Sequence, residues 1–187
     1  MYTMVHIIQK DDDGANVLRK EATPVPHDDI PSERIQSVIR DMKAALASED
    51  DGVAIAAPQI GESLRIFVVS GKVFARRDKQ KDRELQDEYA DKVYINPSII
   101  NTASKEEKME EGCLSCRWLY GDVTRATKAT VRAYDQDGNE FQEGASGLLA
   151  QIFQHETDHL DGTLFIDKAE NIHEEPPKDK PRFEEDE

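Results

Sequence analysis

The chain has 187 residues, only two cysteines and a formal net charge of −15. A chain of this length is expected to fold as one domain and to bury a core without disulfide bonds. The excess of carboxylates argues against direct nucleic-acid binding, which depends on lysine and arginine neutralising phosphate.

The N-terminal residues MYTMVHIIQKDDDG contain neither a basic segment followed by an apolar run nor a small-residue cleavage site, so no secretory signal is predicted. No apolar run approaches the roughly 18 residues that span a membrane. Cys113 and Cys116 are typical of a reducing compartment or a metal site. We therefore expect a cytoplasmic protein without membrane association; an organellar matrix is also compatible with the sequence.

The first predicted helix lies in PSERIQSVIRDMKAALASEDDG, where Ser32 can cap the N-terminus and apolar residues recur at helical spacing. The segments LRIFVVS (64–70) and KVYINPSII (92–100) are rich in β-branched residues and are predicted strands. The charged segment 75–91 between them is predicted to be a solvated loop or a short helix. ATVRAYDQDGNEFQE (129–143) predicts a hairpin that turns at Asp137 and Gly138.

The last predicted helix is SGLLAQIFQHETDHLDG (146–162), with Ser146 as a possible cap. Its apolar residues lie on more than one side, so we expect it to be central and buried. After residue 168, Pro, Glu, Asp and Lys dominate and few core-forming residues remain. The sequence therefore predicts a domain over residues 1–168 and an acidic, disordered tail over 169–187.

The segment FQHETDHLDG (153–162) carries two histidines four positions apart. A helix places His155 and His159 on one face, so that both imidazoles can bind a single ion. Glu156 is displaced by about 100° and can contact a ligand on the metal without binding the ion itself. This is the arrangement of His-Glu-x-x-His enzymes, which combine two metal ligands with a general base.

A catalytic metal needs a further protein ligand and an open position. Downstream candidates lie in the polar tail, where rigid coordination is not expected: Glu170, His173 and Glu174. They would make the chain a His-Glu-x-x-His metallopeptidase. Cys113 in EEGCLSC is a stronger candidate, because thiolate is a good ligand for zinc and ferrous iron. Cys113, Cys116 and the two histidines could instead close a structural zinc site in a small interaction domain, with the general base unused.

The segment GVAIAAPQIG (52–61) is built from small and apolar residues. Its backbone could pair with an extended ligand, and the Gln59 amide could donate to a developing oxyanion. A packed Gly/Ala strand would explain the same segment equally well.

Taken in order, GVAIAAPQ, EGCLS and QHETDHL resemble the three motifs of peptide deformylases. VLRKEATPV, YINPSII and DGTLFID extend the resemblance from about residue 5 to residue 168. It implies an α+β fold of mixed, mainly antiparallel sheets around a central buried helix that carries the histidines. The implied activity is metal-dependent hydrolysis of the N-formyl group of formylmethionine on nascent polypeptides, releasing formate. The implied partners are N-formylmethionyl peptides and the translating ribosome.

The resemblance also implies roles for individual residues. The metal, Fe(II) in the cell with Zn, Ni or Co as possible occupants, would be held by Cys113, His155 and His159. Glu156 would act as general base, while the Gln59 amide and the Leu114 backbone N–H would bind the oxyanion. Glu111 would orient a ligand histidine or pair with Arg125.

For the substrate, the resemblance implies backbone pairing at Val53 and Ala54 and a methionine pocket to which Val53, Leu114 and Ile152 contribute. Two positions depart from the family pattern. Ala54 stands where a second glycine is usual, and Tyr120 replaces an arginine near the substrate entrance. We therefore expect altered substrate affinity with retained catalysis.

Overall fold

The computed structural model describes residues 5–77 and 89–177 of the chain. Within these residues the α-helices are α1 (Glu33–Ala47), α2 (Gly71–Arg77) and α3 (Gly147–Leu160), besides four short 3₁₀ helices. The strands are β1 (Ala54–Ala56), β2 (Ile66–Val69), β3 (Lys92–Thr102), β4 (Glu106–Gly112), β5 (Leu119–Ala126), β6 (Lys128–Tyr134), β7 (Glu140–Ser146) and β8 (Glu170–Glu174).

The strands form two antiparallel sheets. One has five strands in the order β1-β2-β3-β6-β7, and the other has three in the order β4-β5-β8. Parallel pairing among the described residues is limited to an isolated bridge between Thr23 and Leu64. The α+β class is confirmed, and β1 and β4 are each an edge strand of their sheet.

The five-stranded sheet is covered on both faces, which explains why all four residues of β2 are buried. Successive strand residues point to opposite faces. Ile66 and Val68 pack in the cluster that contains the apolar side of α1, whereas Phe67 and Val69 pack in the cluster that contains α3. The last helix is therefore central, as predicted, and it also contacts β5 of the second sheet.

Both predicted helices are present, but only one has the predicted cap. The Ser32 hydroxyl accepts a hydrogen bond from the Ile35 backbone N–H at the start of α1. Ser146 precedes α3 without a side-chain cap. The reason is that Ser146 ends β7, and the chain enters the helix directly through a corner at Gly147, where φ is +58°.

The predicted tail is wrong at its beginning, because Glu170–Glu174 form β8, antiparallel to β5. All five residues of β8 are exposed. The strand is held by backbone hydrogen bonds, which form without apolar side chains. Residues 178–187 of the tail and 78–88 of the charged segment lie outside the described residues. No helix in the described part of the chain is long and apolar enough to cross a membrane.

Candidate metal centre and active-site cleft

Three possible metal ligands converge where α3 faces the end of β4. Cys113 follows directly after β4, and its Sγ lies 3.2 Å from Nε2 of His159. His155 completes the group, with the three ligand atoms within 4.8 Å of one another. Two ligands of one zinc-like ion, each about 2.0–2.3 Å from it, can be separated by at most roughly 4.6 Å. The group is therefore close to the dimensions of a single-ion site, and side-chain shifts of about 0.2 Å at most would bring all three atoms within that limit.

The surroundings of these ligands also suit a cation. Contact with the Cys116 thiol and burial raise the pKa of Cys113. The neighbouring side chains therefore do not favour the thiolate, the form that binds metals, whereas a bound cation would. Burial and the neighbouring His155 lower the pKa of His159, which keeps this imidazole neutral, as a ligand must be. Within the described residues, two buried atoms here lack a hydrogen-bond partner: Glu156 Oε2 and His159 Nδ1.

His155 is held by a buried network of charged residues. Its Nδ1 lies 2.9 Å from Glu111 Oε2, which leaves Nε2 facing the other ligands. Arg125 donates two hydrogen bonds to Glu111, at 2.7 and 2.9 Å, and a third to Asp158. Burial opposes ionisation of Glu111, but the hydrogen bonds from His155 and Arg125 outweigh it and lower its pKa to about 2. Glu111 thus both orients the histidine and pairs with the arginine.

Glu156 has the opposite environment. The residue is 4% exposed, and burial outweighs the nearby positive charges of His155 and Arg125 and raises its pKa to about 7. A carboxyl group with a pKa near neutrality can accept and return a proton at physiological pH. Adjacent positions of one helix thus carry an imidazole held in place, that of His155, and a carboxyl group able to exchange protons.

The Gln59 amide is oriented by its backbone surroundings. Its Oε1 accepts a hydrogen bond from Ala56 N–H at 2.8 Å, so its Nε2 points the other way. That nitrogen donates to Ser115 Oγ at 3.1 Å and lies 3.7 Å from Cys113 Sγ. The amide hydrogens therefore face the cluster of Cys113, His155 and His159, called the metal group below, as is required of a side chain that donates hydrogen bonds to an oxyanion.

A cleft of about 310 Å³ leads to these groups and is lined by the two edge strands and α3. All the residues predicted to bind substrate line it: Val53, Ala54, Leu114 and Ile152. Gln59, Cys113, His155 and Glu156 also reach the cleft. His159 lies deeper, with 1% of its surface exposed. The sequence-predicted residues are therefore brought together in one place.

The alternative ligands of the predicted tail lie elsewhere, and Cys116, although it lines the cleft, is not part of the ligand group. Glu170, His173 and Glu174 are exposed on β8, and Glu170 pairs with Lys108. Cys116 is 1% exposed and belongs to an apolar cluster with Leu18 and Phe165. In the described part of the chain, the Cys-His-His group is the one set of three such side chains close enough to hold an ion.

Comparison with known proteins identifies the family. A family model described as polypeptide deformylase matches residues 4–175. The chain belongs to this family. It is 39% identical to a peptide deformylase of Natranaerobius thermophilus over 161 residues, which cover 85% of this chain and 90% of that protein.

Solved deformylases share the fold. The enzyme from Legionella pneumophila is 37% identical, with a TM-score of 0.74 covering 90% of this chain and 88% of that one. A class I type b deformylase from Acinetobacter baumannii with bound Met-Ala-Ser is 29% identical, with a TM-score of 0.75 covering 90% and 99%. Family membership makes this chain an enzyme, a hydrolase that removes formyl groups from nascent peptides.

Several cleft residues of this deformylase were not predicted. Leu148 and Gln151 line the cleft beside Ile152. They lie seven and four positions before His155, so helical spacing from the histidine could have indicated them. Arg117 and Asp51 form an ion pair at 2.7 Å that joins the two walls of the cleft, and no local pattern signals a pair 66 positions apart.

Proposed function

We propose that Cys113, His155 and His159 hold one divalent ion with which this enzyme hydrolyses the formamide of N-formylmethionyl peptides. The observation that carries this proposal is the convergence of a thiol from the end of β4 with two imidazoles of α3, beside a buried carboxyl oxygen, Glu156 Oε2, that lacks a hydrogen-bond partner within the described residues. Fe(II) is the ion we propose in the cell, as the family resemblance implies, with zinc, nickel or cobalt as substitutes, since thiolate and imidazole ligands do not select among these metals.

Such an ion would supply Lewis acidity and lower the pKa of a water molecule to about 7. The protein's own task is then to move protons and to stabilise charge. Glu156 takes a proton from the attacking water and delivers it to the peptide nitrogen as the C–N bond breaks. The products are formate and a free amino terminus. A carboxyl pKa of about 7 in the metal-free site supports this role, although a cation beside Glu156 will lower it.

We assign stabilisation of the oxyanion to the Gln59 side-chain amide and the Leu114 backbone N–H. Support for Gln59 comes from the Ala56 hydrogen bond, which holds its oxygen away from the site and its nitrogen toward Cys113. Leu114 is positioned by Gln9, whose Nε2 donates to the Leu114 carbonyl at 2.8 Å. Removing one such donor from an enzyme typically lowers kcat by about 100- to 1,000-fold.

We propose that the peptide enters as an extended strand between β1 and β4. The Val53 carbonyl accepts from Ser70 N–H and faces the interior of its sheet, so alternation turns the backbone groups of Ala54 toward the open edge. On β4, the Glu110 carbonyl accepts a hydrogen bond from Gln151 on the side away from β5. The backbone groups of Gly112, two residues further along the strand, point to the same open side. A peptide between these edges can pair with both Ala54 and Gly112.

The methionine side chain is proposed to occupy the apolar part of the cleft. Val53, Leu114 and Ile152 supply apolar surface there, and Leu148 stands at the mouth with 42% of its surface exposed. Burying a methionine side chain is worth about 1.5–3 kcal/mol, which is enough to favour it over a short residue at this position.

We further propose that the enzyme acts in the cytoplasm on chains emerging from the ribosome, where formylated peptides arise. The enzyme has a net charge of −15, so ribosomal RNA would repel it. Any contact with the ribosome is therefore expected to involve ribosomal proteins.

The test is formate release from formyl-Met-Ala-Ser by iron-loaded protein prepared without oxygen. Glu156→Gln should lower kcat by about 100- to 10,000-fold with metal content unchanged, the usual contribution of a general base. Glu107→Gln, an exposed change on β4, is the matched control and should leave kcat unaltered. Unchanged formate release from Glu156→Gln would refute the proposed proton transfer.

The metal content of cysteine variants distinguishes this proposal from the two alternative hypotheses, a metallopeptidase and a structural zinc site. The proposal expects Cys113→Ala to lose its ion and Cys116→Ala to retain it. A metallopeptidase that used Glu170 or Glu174 would keep its ion in both variants. A closed structural zinc site would lose the ion in both and unfold with it.

A further inference from the structure

Cys116 is a nucleophilic side chain that the hydrolysis does not use. It is 1% exposed and packs in the apolar cluster of Leu18 and Phe165, against which Cys113 also lies. Both cysteines nevertheless line the active-site cleft, so a small oxidant that enters the cleft can reach Cys113 with Cys116 beside it. They are the only cysteines of the chain.

The backbone between the two cysteines brings them close. Cys116 N–H donates to the Cys113 carbonyl at 3.0 Å, closing a turn over four residues. The ends of such a turn have Cα atoms less than about 7 Å apart, and disulfides form at Cα separations of about 4.4–6.8 Å. A further hydrogen bond from Ser115 N–H to Cys113 Sγ, at 3.4 Å, holds the first sulfur inside the turn.

We propose that Cys116 is the resolving cysteine for the ligand Cys113, so that a peroxide converts the pair into a reversible disulfide. The inference rests on the proposed function in one respect, the assignment of Cys113 as the sulfur ligand. Its consequence is that oxidation removes the only thiolate of the site, releases the ion and stops hydrolysis until the pair is reduced.

The chemistry balances with hydrogen peroxide as the oxidant. Cys113 sulfur attacks one peroxide oxygen and the O–O bond breaks, giving a sulfenic acid and one water. Cys116 sulfur then attacks the sulfenic sulfur, the S–O bond breaks, and the departing hydroxide takes the Cys116 proton as a second water. Two thiols are oxidised and one peroxide is reduced.

Without a neighbouring thiol the sulfenic acid has a different fate. It reacts with further peroxide to sulfinic and then sulfonic acid, which thiol reductants do not reverse. Cys116 would thus turn permanent damage to a metal ligand into a reversible modification. A purely structural Cys116, acting as a small apolar side chain, would leave the rate and the products of Cys113 oxidation unchanged.

The experiment uses the full chain loaded with zinc, which has no redox chemistry of its own. Hydrogen peroxide is added in steps, released zinc is followed with a coloured chelator, and intact mass is recorded before and after treatment with dithiothreitol. We expect the wild type to lose two hydrogens in mass and one equivalent of zinc, and to regain both after reduction and addition of zinc. Because the chain has two cysteines, an intramolecular disulfide can only join Cys113 to Cys116.

Cys116→Ala and Cys116→Ser are compared, so that a packing defect in one variant does not decide the result. Both should gain two or three oxygens in mass and fail to rebind zinc after reduction. Oxygen addition in the wild type at the same rate as in the variants, with no disulfide, would overturn the proposal. Disulfide formation without zinc release would instead contradict the assignment of Cys113 as ligand, while leaving the cysteine pairing intact.

Discussion

Replacing Glu111 by glutamine removes one charge from the buried network behind the metal group while preserving the size of the side chain. Glu111 is 5% exposed and accepts two hydrogen bonds from Arg125, besides contacting His155. Glutamine keeps one acceptor oxygen but brings an NH₂ group toward the donors of the arginine or the histidine. Among the described residues, Asp158 then remains as the one carboxylate paired with the buried Arg125.

Two independent routes give the size of the effect. Lowering the pKa of Glu111 from 4.5 to about 2 corresponds to roughly 3 kcal/mol of stability, at about 1.4 kcal/mol per pH unit. Breaking a buried ion pair by removing one partner costs about 3–5 kcal/mol. We therefore expect Glu111→Gln to lower the free energy of unfolding of the metal-free protein by about 3 kcal/mol at pH 7.

The pH dependence supplies the sharper test. Because the pKa of Glu111 is lower in the folded state, its contribution is complete above the unfolded pKa of 4.5 and disappears as the pH falls through about 2. The difference between wild type and Glu111→Gln in urea unfolding should thus shrink by about half between pH 7 and pH 3. Loss of the His155 contact should also weaken zinc binding by about 10- to 100-fold.

Glu107→Gln is the control for this experiment as well, because Glu107 lies on the same strand but pairs with Lys105 in solvent. Its effect should stay within about 0.5 kcal/mol at both pH values. A Glu111→Gln destabilisation below about 1 kcal/mol, or one independent of pH, would refute the reasoning from burial and charge.

Three further changes test other parts of the cleft. In metal-free protein, folding raises the pKa of Glu156. Glu156→Gln should therefore leave the free energy of unfolding unchanged below pH 4.5 and increase it by roughly 3 kcal/mol above pH 7, as measured by urea unfolding. Equal stability of the two proteins at pH 8 would contradict this prediction. Gly112→Ala places a Cβ 2.7 Å from Tyr120 Cε1, so thermal unfolding should show a loss of about 1–3 kcal/mol that Tyr120→Ala relieves. Arg117→Lys loses the bidentate contact with Asp51 and should raise KM for tripeptides more than it lowers kcat. An unchanged KM would count against a role of this ion pair in substrate binding.

Local patterns predicted the elements that bury apolar residues. The spacing in α1, the β-branched residues of β2 and β3, and the Asp137-Gly138 turn between β6 and β7 are all properties of short segments. The metal group was also predictable, because the helix fixes the separation of His155 and His159 and the family resemblance supplied Cys113.

The three-stranded sheet was missed for a physical reason. β4 reads EEKMEEG and buries only Glu111, and β8 buries none of its residues. Such strands form through backbone pairing with β5, and nothing in their side-chain pattern indicates a partner. For the same reason the sequence could not show that Gln9 would reach the Leu114 carbonyl, 105 positions away.

The polar character of β4 bears on how the cleft works. Edge strands expose backbone groups that invite pairing with other chains, and charged side chains usually protect them. β4 carries charged side chains at five of its seven positions and then ends at Gly112, which has no side chain, while β1 on the other side is only three residues long. The proposed peptide pairing at Gly112 thus uses the one end of β4 without a charged side chain. In the proposed mode of binding, backbone pairing does not depend on the sequence of the peptide, so discrimination would rest on the formyl group and the side chain that follows it. This is the selectivity required of an enzyme whose substrates share only their first residue.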